Sequence, residues 1–252
     1  MIKRIAICLL LFLCASSLAF TPHGKYDVYL LIGQSNMAGR GYLTEADLQG
    51  PVDGVYLLGD DDTPVEATHP FNRYSTIRKD IKMQQMGPGY SFAEEMKKHS
   101  RRPVLLVVNA RGGSSIVEWA EGTHYFDEAV RRTRAAMKFG RLKGILWHQG
   151  CSDAGQRTDV YMDLLNDMVS ALRSELNAPR VPFVAGELPY WRPSSAAFNE
   201  MIRTISDVIP HSGWVCAQGC GMRSDWHDPH FDRDGQIVLG RRYAEKLLEM
   251  AH

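Results

Sequence analysis

An excess of charge of either sign is missing from this chain. Its 252 residues carry 29 Lys and Arg against 29 Asp and Glu, a formal net charge of zero. Without a basic surplus there is no electrostatic footprint for nucleic acid or for an anionic membrane surface. Internal repeats are absent, and no tract is biased enough in composition to serve as a linker or disordered tail. The G-x-S-x-G elbow of the α/β-hydrolases does not occur. No Lys-Ser/Thr pair follows a glycine turn, which excludes a P-loop. Cysteine is scarce, five in all.

The apolar segment at the start is too short to cross a bilayer, which takes roughly 20 residues. It has the layout of a signal peptide instead: Lys3 and Arg4, the apolar stretch Ile5 to Leu13, then Ser17-Leu18-Ala19 with small residues where a signal peptidase reads. Cys14 follows the bulky Leu13, which argues against lipid attachment. The expectation is cleavage of residues 1–19, a product secreted or periplasmic and free of the membrane, and a single domain over residues 20–252. Cys151, Cys216 and Cys220 would remain, an odd number whose pairing in an oxidising compartment the sequence leaves open. Oligomeric state is left open as well.

Five short apolar runs rich in branched residues read as buried strands: Tyr26–Ile32, Pro103–Val108, Lys143–Trp147, Val181–Gly186 and Gly213–Ala217. Between them apolar residues recur at helical spacing, through Phe92 and Met96, Phe126 to Met137, Tyr161 to Leu172, and Phe198 to Ile205. A last helix runs from Ile237 to Leu248, with Asp234 as its expected cap. Strand alternating with helix implies an α/β fold, a parallel sheet covered on both faces by right-handed crossovers. Residues 40–88 fit this less well. Rich in Gly, Pro, Asp and Thr, they read as a long excursion with a short hairpin around Val55–Leu58, either lining a site or forming a surface loop.

An open parallel sheet binds ligands at the carboxyl ends of its strands, and chemistry-bearing residues cluster there. Strand one runs into Gly33-Gln34-Ser35-Asn36-Met37-Ala38-Gly39, a tight turn that can present a hydroxyl together with its own N–H. Strand two ends in Arg111-Gly112-Gly113-Ser114, whose glycines let backbone N–H groups approach developing negative charge. Strand three ends in Trp147-His148-Gln149-Gly150-Cys151-Ser152-Asp153, where Gln149 offers an amide donor and His148 reads as a packed histidine. Strand five is followed by Asp225-Trp226-His227-Asp228-Pro229-His230, a histidine cluster among carboxylates. A nucleophile, two donors and a carboxylate-flanked histidine are the parts of acyl transfer.

These blocks resemble those of the SGNH hydrolases of the sialate O-acetylesterase and acetylxylan-esterase type. The resemblance rests on Gly33 to Gly39, on Gly112 to Ile116 with Trp119, on Trp147 to Gly150 with Ser152-Asp153, and on His230-Phe231 with Gln236 and Leu239-Gly240. It implies a three-layer flavodoxin-like sheet of five strands in order 2-1-3-4-5, and hydrolysis of acetyl esters on a carbohydrate without cofactor or metal. It makes Ser35 the nucleophile and His230 its base, with the Ser35 N–H, the Gly113 N–H (Gly112 being the alternative) and the Gln149 amide as the oxyanion hole. Two positions depart from the family pattern: Cys151 stands where glutamate is usual, and His227 where the triad aspartate is usual. Asp228 is the preferred replacement, because Pro229 favours an extended backbone before it and residues two apart then point the same way. Asp225 and a backbone carbonyl are the alternatives. The same departures motivate a second reading, a decayed esterase fold that only holds a glycan. Trp119, Tyr190, Trp191 and Trp226 are candidates to stack on sugar rings. Free imidazole titrates near pH 6.5, so a histidine base predicts activity that falls in acid.

Overall fold

A computed structural model describes residues 24–251, and the segment read as a signal peptide lies outside them. Seven strands alternate with helices: β1 (Tyr26–Gly33), α1 (Ser35–Ala38), β2 (Val55–Leu58), β3 (Pro64–Glu66), α2 (Gly89–His99), β4 (Val104–Val108), α3 (His124–Met137), β5 (Gly140–His148), α4 (Thr158–Glu175), β6 (Phe183–Gly186), α5 (Ser195–Ile202), α6 (Ile205–Val208), β7 (Ser212–Val215) and α7 (Arg233–Met250). They form one sheet in the order β3-β2-β4-β1-β5-β6-β7. Every neighbouring pair is parallel except the β2–β3 hairpin.

Side chains alternate across the sheet with period two, and this produces the layers. From β1, Val28, Leu30 and Ile32 face one core with Leu105 and Val107 of β4, Ile145 and Trp147 of β5, and Phe126, Val130, Tyr161 and Leu165 from α3 and α4. Tyr29 and Leu31 face the opposite core with Leu106, Leu146 and Val184, and with Phe92 and Met96 of α2 and Leu239, Tyr243 and Leu247 of α7. Each large side chain so buried contributes roughly 1.5–3 kcal/mol. Both faces are apolar, which is why the central strands read as unbroken apolar runs.

The five strands expected from sequence are β4, β1, β5, β6 and β7, in the expected order. The count of five is corrected to seven: the hairpin of the 40–88 excursion joins the sheet beside β4, with Val55 and Leu57 buried. The buried Arg132 of α3 fastens it through the carbonyls of Leu58 and Gly59. The rest of the excursion returns to the sheet's carboxyl end. There the Asn72 amide pairs with both the N–H and the carbonyl of Ala110, and the Thr76 N–H donates to Asn109. The cap of α7 is likewise corrected. Asp232, not Asp234, accepts the Gly235 N–H at 2.7 Å, and Asp234 lies within the first turn.

Two buried histidines make stability depend on pH. His148 is sealed in the core, and His69 lies between the rings of Phe71 and Tyr90. Burial lowers both to about 4. Unfolded histidine titrates near 6.5, so between pH 6.5 and 4 the unfolded chain takes up protons that the folded one refuses. The stability present above 6.5 is therefore lost through that window. The denaturant midpoint should be lower at pH 4.5 than at pH 7, with a shallower dependence in His148→Gln. A midpoint unchanged across the window contradicts neutral burial.

Candidate active site

The central strands bring the motif turns to one edge of the sheet. β1 ends at Gly33, which pairs with His148 at the end of β5. Gly33 has φ 133°, and a Cβ there would run into the backbone of His148, so only glycine permits the approach. Gln34 then fixes the turn. Its N–H donates to the His148 carbonyl at 2.9 Å, and its side-chain oxygen accepts from Gly150 N at 3.0 Å. Ser35 opens α1, so no earlier turn supplies an acceptor for its N–H, and no side chain caps it.

The last motif reaches the same edge on the loop between β7 and α7. Oγ of Ser35 and Nε2 of His230 are 2.9 Å apart. On the other side of the ring, Nδ1 lies 2.5 Å from Oδ1 of Asp228. That oxygen also accepts the backbone N–H of His230 at 3.1 Å, and the ring contact, though at ion-pair distance, is not a well-aligned hydrogen bond. Oδ2 of Asp228 accepts from Nε of Arg223 at 2.7 Å and from the Ser224 hydroxyl at 2.8 Å. A turn closed by Asp228 N to the Asp225 carbonyl, with Trp191 Nε1 donating to the Asp228 carbonyl, fixes the backbone. Asn36 joins this loop to the nucleophile turn. Its Nδ2 donates to the Pro229 carbonyl at 2.9 Å, and its Oδ1 accepts from Phe231 N and from the Gln236 amide.

Electrostatics favour a neutral imidazole. Burial lowers His230 to about 4; Asp228 pulls it back up, while the cations Arg223 and Arg40 add to the lowering. For Asp228, burial opposes the charge. The Ser224 hydroxyl, His230 and Arg223 together outweigh it and hold the carboxyl below the ordinary range. The ring thus meets Ser35 with a free lone pair and a carboxylate behind it, as proton abstraction from a hydroxyl requires.

Of the three donors expected at the oxyanion, two have N–H groups with no acceptor among the described residues. Ser35 N–H has no intrahelical acceptor. Gly113, at φ 81° on an exposed turn, has an N–H with no acceptor among the described residues. Gln149 is a correction. Its amide nitrogen donates to the Ser114 carbonyl at 2.9 Å and to Asp153 Oδ2 at 2.5 Å, while its oxygen accepts from Tyr161 at 2.7 Å. A flipped amide would set its oxygen against two acceptors. Gln149 is therefore a buried clamp on the glycine turn, with no N–H to spare.

Asp225 is exposed and binds the His227 N–H, so it does not face His230. His227 is exposed with its ring on Trp226. His148 is a core residue whose Nδ1 meets the Tyr243 hydroxyl at 2.9 Å. Cys151, Cys216 and Cys220 are free thiols. Trp119 is buried and donates to Ser114, so it cannot stack on a sugar, and Trp191 serves as a strut. Trp226 and Tyr190 remain exposed. Asn36, Arg40, Arg223 and Tyr42 went unassigned in the sequence. Asn36 lies inside the first motif and Arg40 just after it, a proximity that could have flagged them. Arg223, whose guanidinium also lies 5.7 Å from the Tyr42 ring, carries no local signal.

Comparison with known proteins gives the family and the fold. Residues 25–249 match the family described as carbohydrate esterase, sialic acid-specific acetylesterase. A probable carbohydrate esterase of Arabidopsis thaliana is 29% identical over 90% of this chain and 92% of its own. The crystal structure of an Arabidopsis thaliana protein of the same designation superposes with a TM-score of 0.77 at 25% identity, covering 90% of this chain and 98% of that one. A carbohydrate acetylesterase from Xanthomonas citri shares the fold, with a TM-score of 0.62 at 18% identity over 86% of this chain and 55% of that one.

The geometry makes the imidazole titration a direct check. NMR of His230 should give a midpoint near 4, well below free imidazole. Asp228→Asn should lower it further, because the carboxylate is the group that raises it. A midpoint at or above 6.5, or an upward move in Asp228→Asn, contradicts the assigned environment.

Proposed function

The chain belongs to the family of carbohydrate esterases described as sialic acid-specific acetylesterases, and we propose that it removes acetyl groups from a carbohydrate by two-step acyl transfer through Ser35. It is a carboxylic ester hydrolase acting on carbohydrate. One observation carries the mechanism: the run Ser35 Oγ, His230 Nε2, His230 Nδ1, Asp228 Oδ1, with spacings of 2.9 and 2.5 Å across the ring.

In the first step Ser35 Oγ attacks the ester carbonyl while its proton passes to Nε2 of His230. The carbonyl π electrons move onto oxygen, where the N–H groups of Ser35 and Gly113 meet the charge. Each such donor stabilises the transition state by about 3 kcal/mol. Asp228 stabilises the imidazolium and keeps the ring oriented. The C–O bond to the sugar then breaks, and His230 returns its proton to the departing hydroxyl oxygen. Water, deprotonated by the same nitrogen, releases acetate by the reverse sequence. His227 and Cys151, standing where the family usually has aspartate and glutamate, favour the glycan-binding alternative; Asp228 in contact with the His230 ring answers the first departure and supports hydrolysis, while Cys151 is a free thiol. The layout of residues 1–19 supports export, with action outside the cell or in the periplasm.

Acetate release from acetylated xylan, other acetylated polysaccharides and acetylated sialic acid should be detectable with wild type on at least one of them. Ser35→Ala should lose activity by a factor on the order of 10⁴ or more. The acid limb of kcat/KM should lie below pH 6.5, toward the about 4 to which burial lowers His230, since only the neutral ring accepts the proton. Activity retained in Ser35→Ala overturns the mechanism.

A further inference from the structure

We propose that Arg40 is a catalytic residue, the third donor to the oxyanion, filling with its free guanidinium edge the place that Gln149 cannot take. The proposal rests on Ser35 being the nucleophile. Arg40 follows Gly39, which ends α1 at φ 95°. The guanidinium is clamped from one side: Nη1 donates to the Gly39 carbonyl at 2.7 Å and to the Met83 carbonyl at 2.8 Å. Nη2 has no acceptor among the described residues, yet it is not among the buried nitrogens sealed without a partner. Its direction is given by Gly112. A Cβ on that glycine would lie 2.5 Å from Nη2 and 3.6 Å from the Cβ of Ser35. The bare Cα of Gly112 therefore leaves room for the guanidinium beside the nucleophile, at the turn that carries the Gly113 N–H.

The charge balance supports the same role. Arg40 is only 3% exposed, and among the described residues it has no carboxylate within ion-pair distance. Burial, then repulsion from Arg223, lowers it to about 10, so it stays protonated at neutral pH. A buried cation without a counter-ion costs stability. An anion that forms only as the ester carbonyl is attacked would supply the missing partner, and a contact made only then lowers the barrier without tightening substrate binding. Arg40 transfers no proton. It faces the oxygen that receives the carbonyl electrons, and the Ser35 proton still passes to His230.

The test compares wild type, Arg40→Met, Arg40→Lys and Ser35→Ala on 4-nitrophenyl acetate, an uncharged substrate, and follows the rate at which a methylphosphonate ester labels Ser35 as a tetrahedral mimic. Arg40→Met should lose about 100-fold in kcat, with KM changed less than about threefold. The phosphonylation rate should fall by a similar factor. The acid limb should move to higher pH, because a cation that lowers His230 has gone; the charged groups facing that ring are Asp228, Arg223 and Arg40. Arg40→Lys keeps the charge but cannot both hold the two carbonyls and reach the oxyanion, so it should also lose kcat. If Arg40→Met fails to fold by circular dichroism, Arg40→Lys decides alone. Unchanged kcat in a folded variant, or a loss confined to KM, overturns the assignment. Failure of the phosphonate to label wild type at Ser35 instead overturns the nucleophile itself, whatever the Arg40 variants do.

Discussion

The hydrogen bond between Ser35 and His230 joins residues 195 positions apart, and nothing local in the chain brings them together. The sheet supplies only half of the constraint. It sets the Ser35 turn rigidly, through the Gly33–His148 pairing and the Gln34 contacts. His230 sits on a loop, which must be held to the sheet by something other than strand pairing. Asn36 does this from the residue beside the nucleophile, using both ends of its amide. The spacing from His230 to Phe231 and Gln236 acquires a physical meaning here, since both neighbours bind the Asn36 oxygen. The base is positioned by the same turn that carries the nucleophile, so a small movement of one takes the other with it.

The polar residues around this pair divide into those that face the reaction and those that hold the frame. Gln149, Asp153, Tyr161 and the Ser114 carbonyl form a set in which both amide hydrogens of Gln149 and the Tyr161 hydroxyl have acceptors. Such a set rigidifies the glycine turn, because breaking any member leaves a buried polar group unpaired. Asp228 has the opposite character. Arg223, Ser224 and the backbone of His230 surround its oxygens and keep it charged next to a ring that burial keeps neutral. This arrangement leaves a free lone pair on Nε2 toward the serine and a carboxylate against the opposite nitrogen of the ring.

Much of the fold was legible in the chain because the central strands are buried on both faces and so read as plain apolar runs. β2 and β3 were only partly legible. They are four and three residues long, and β3 begins at Pro64, so they register as a hairpin without showing that they extend the sheet. Ser35 and His230 were legible through the resemblance of their motifs to the family, and Asp228 through the extended backbone that Pro229 favours before it. Gln149 could not be read correctly, because its amide is consumed by Asp153 and by a carbonyl from another strand end, and tertiary partners leave no mark in a motif. Trp119 is hidden in the same way, a large ring near a strand end that packs inward against Trp147. The cap of α7 moved two residues because Asp232 and Asp234 are equally good cap types by sequence, and only the bond to Gly235 separates them.

A covalent intermediate on Ser35 is the feature that the whole account requires. Acid quenching of the enzyme during turnover of 4-nitrophenyl acetate, followed by peptide mass spectrometry, tests it directly. The account predicts one acetyl group on the peptide that contains Ser35, attached through its hydroxyl and absent in Ser35→Ala. Acetate released at full rate with no acyl group ever found on that peptide, or found on another residue that proves indispensable, would contradict it.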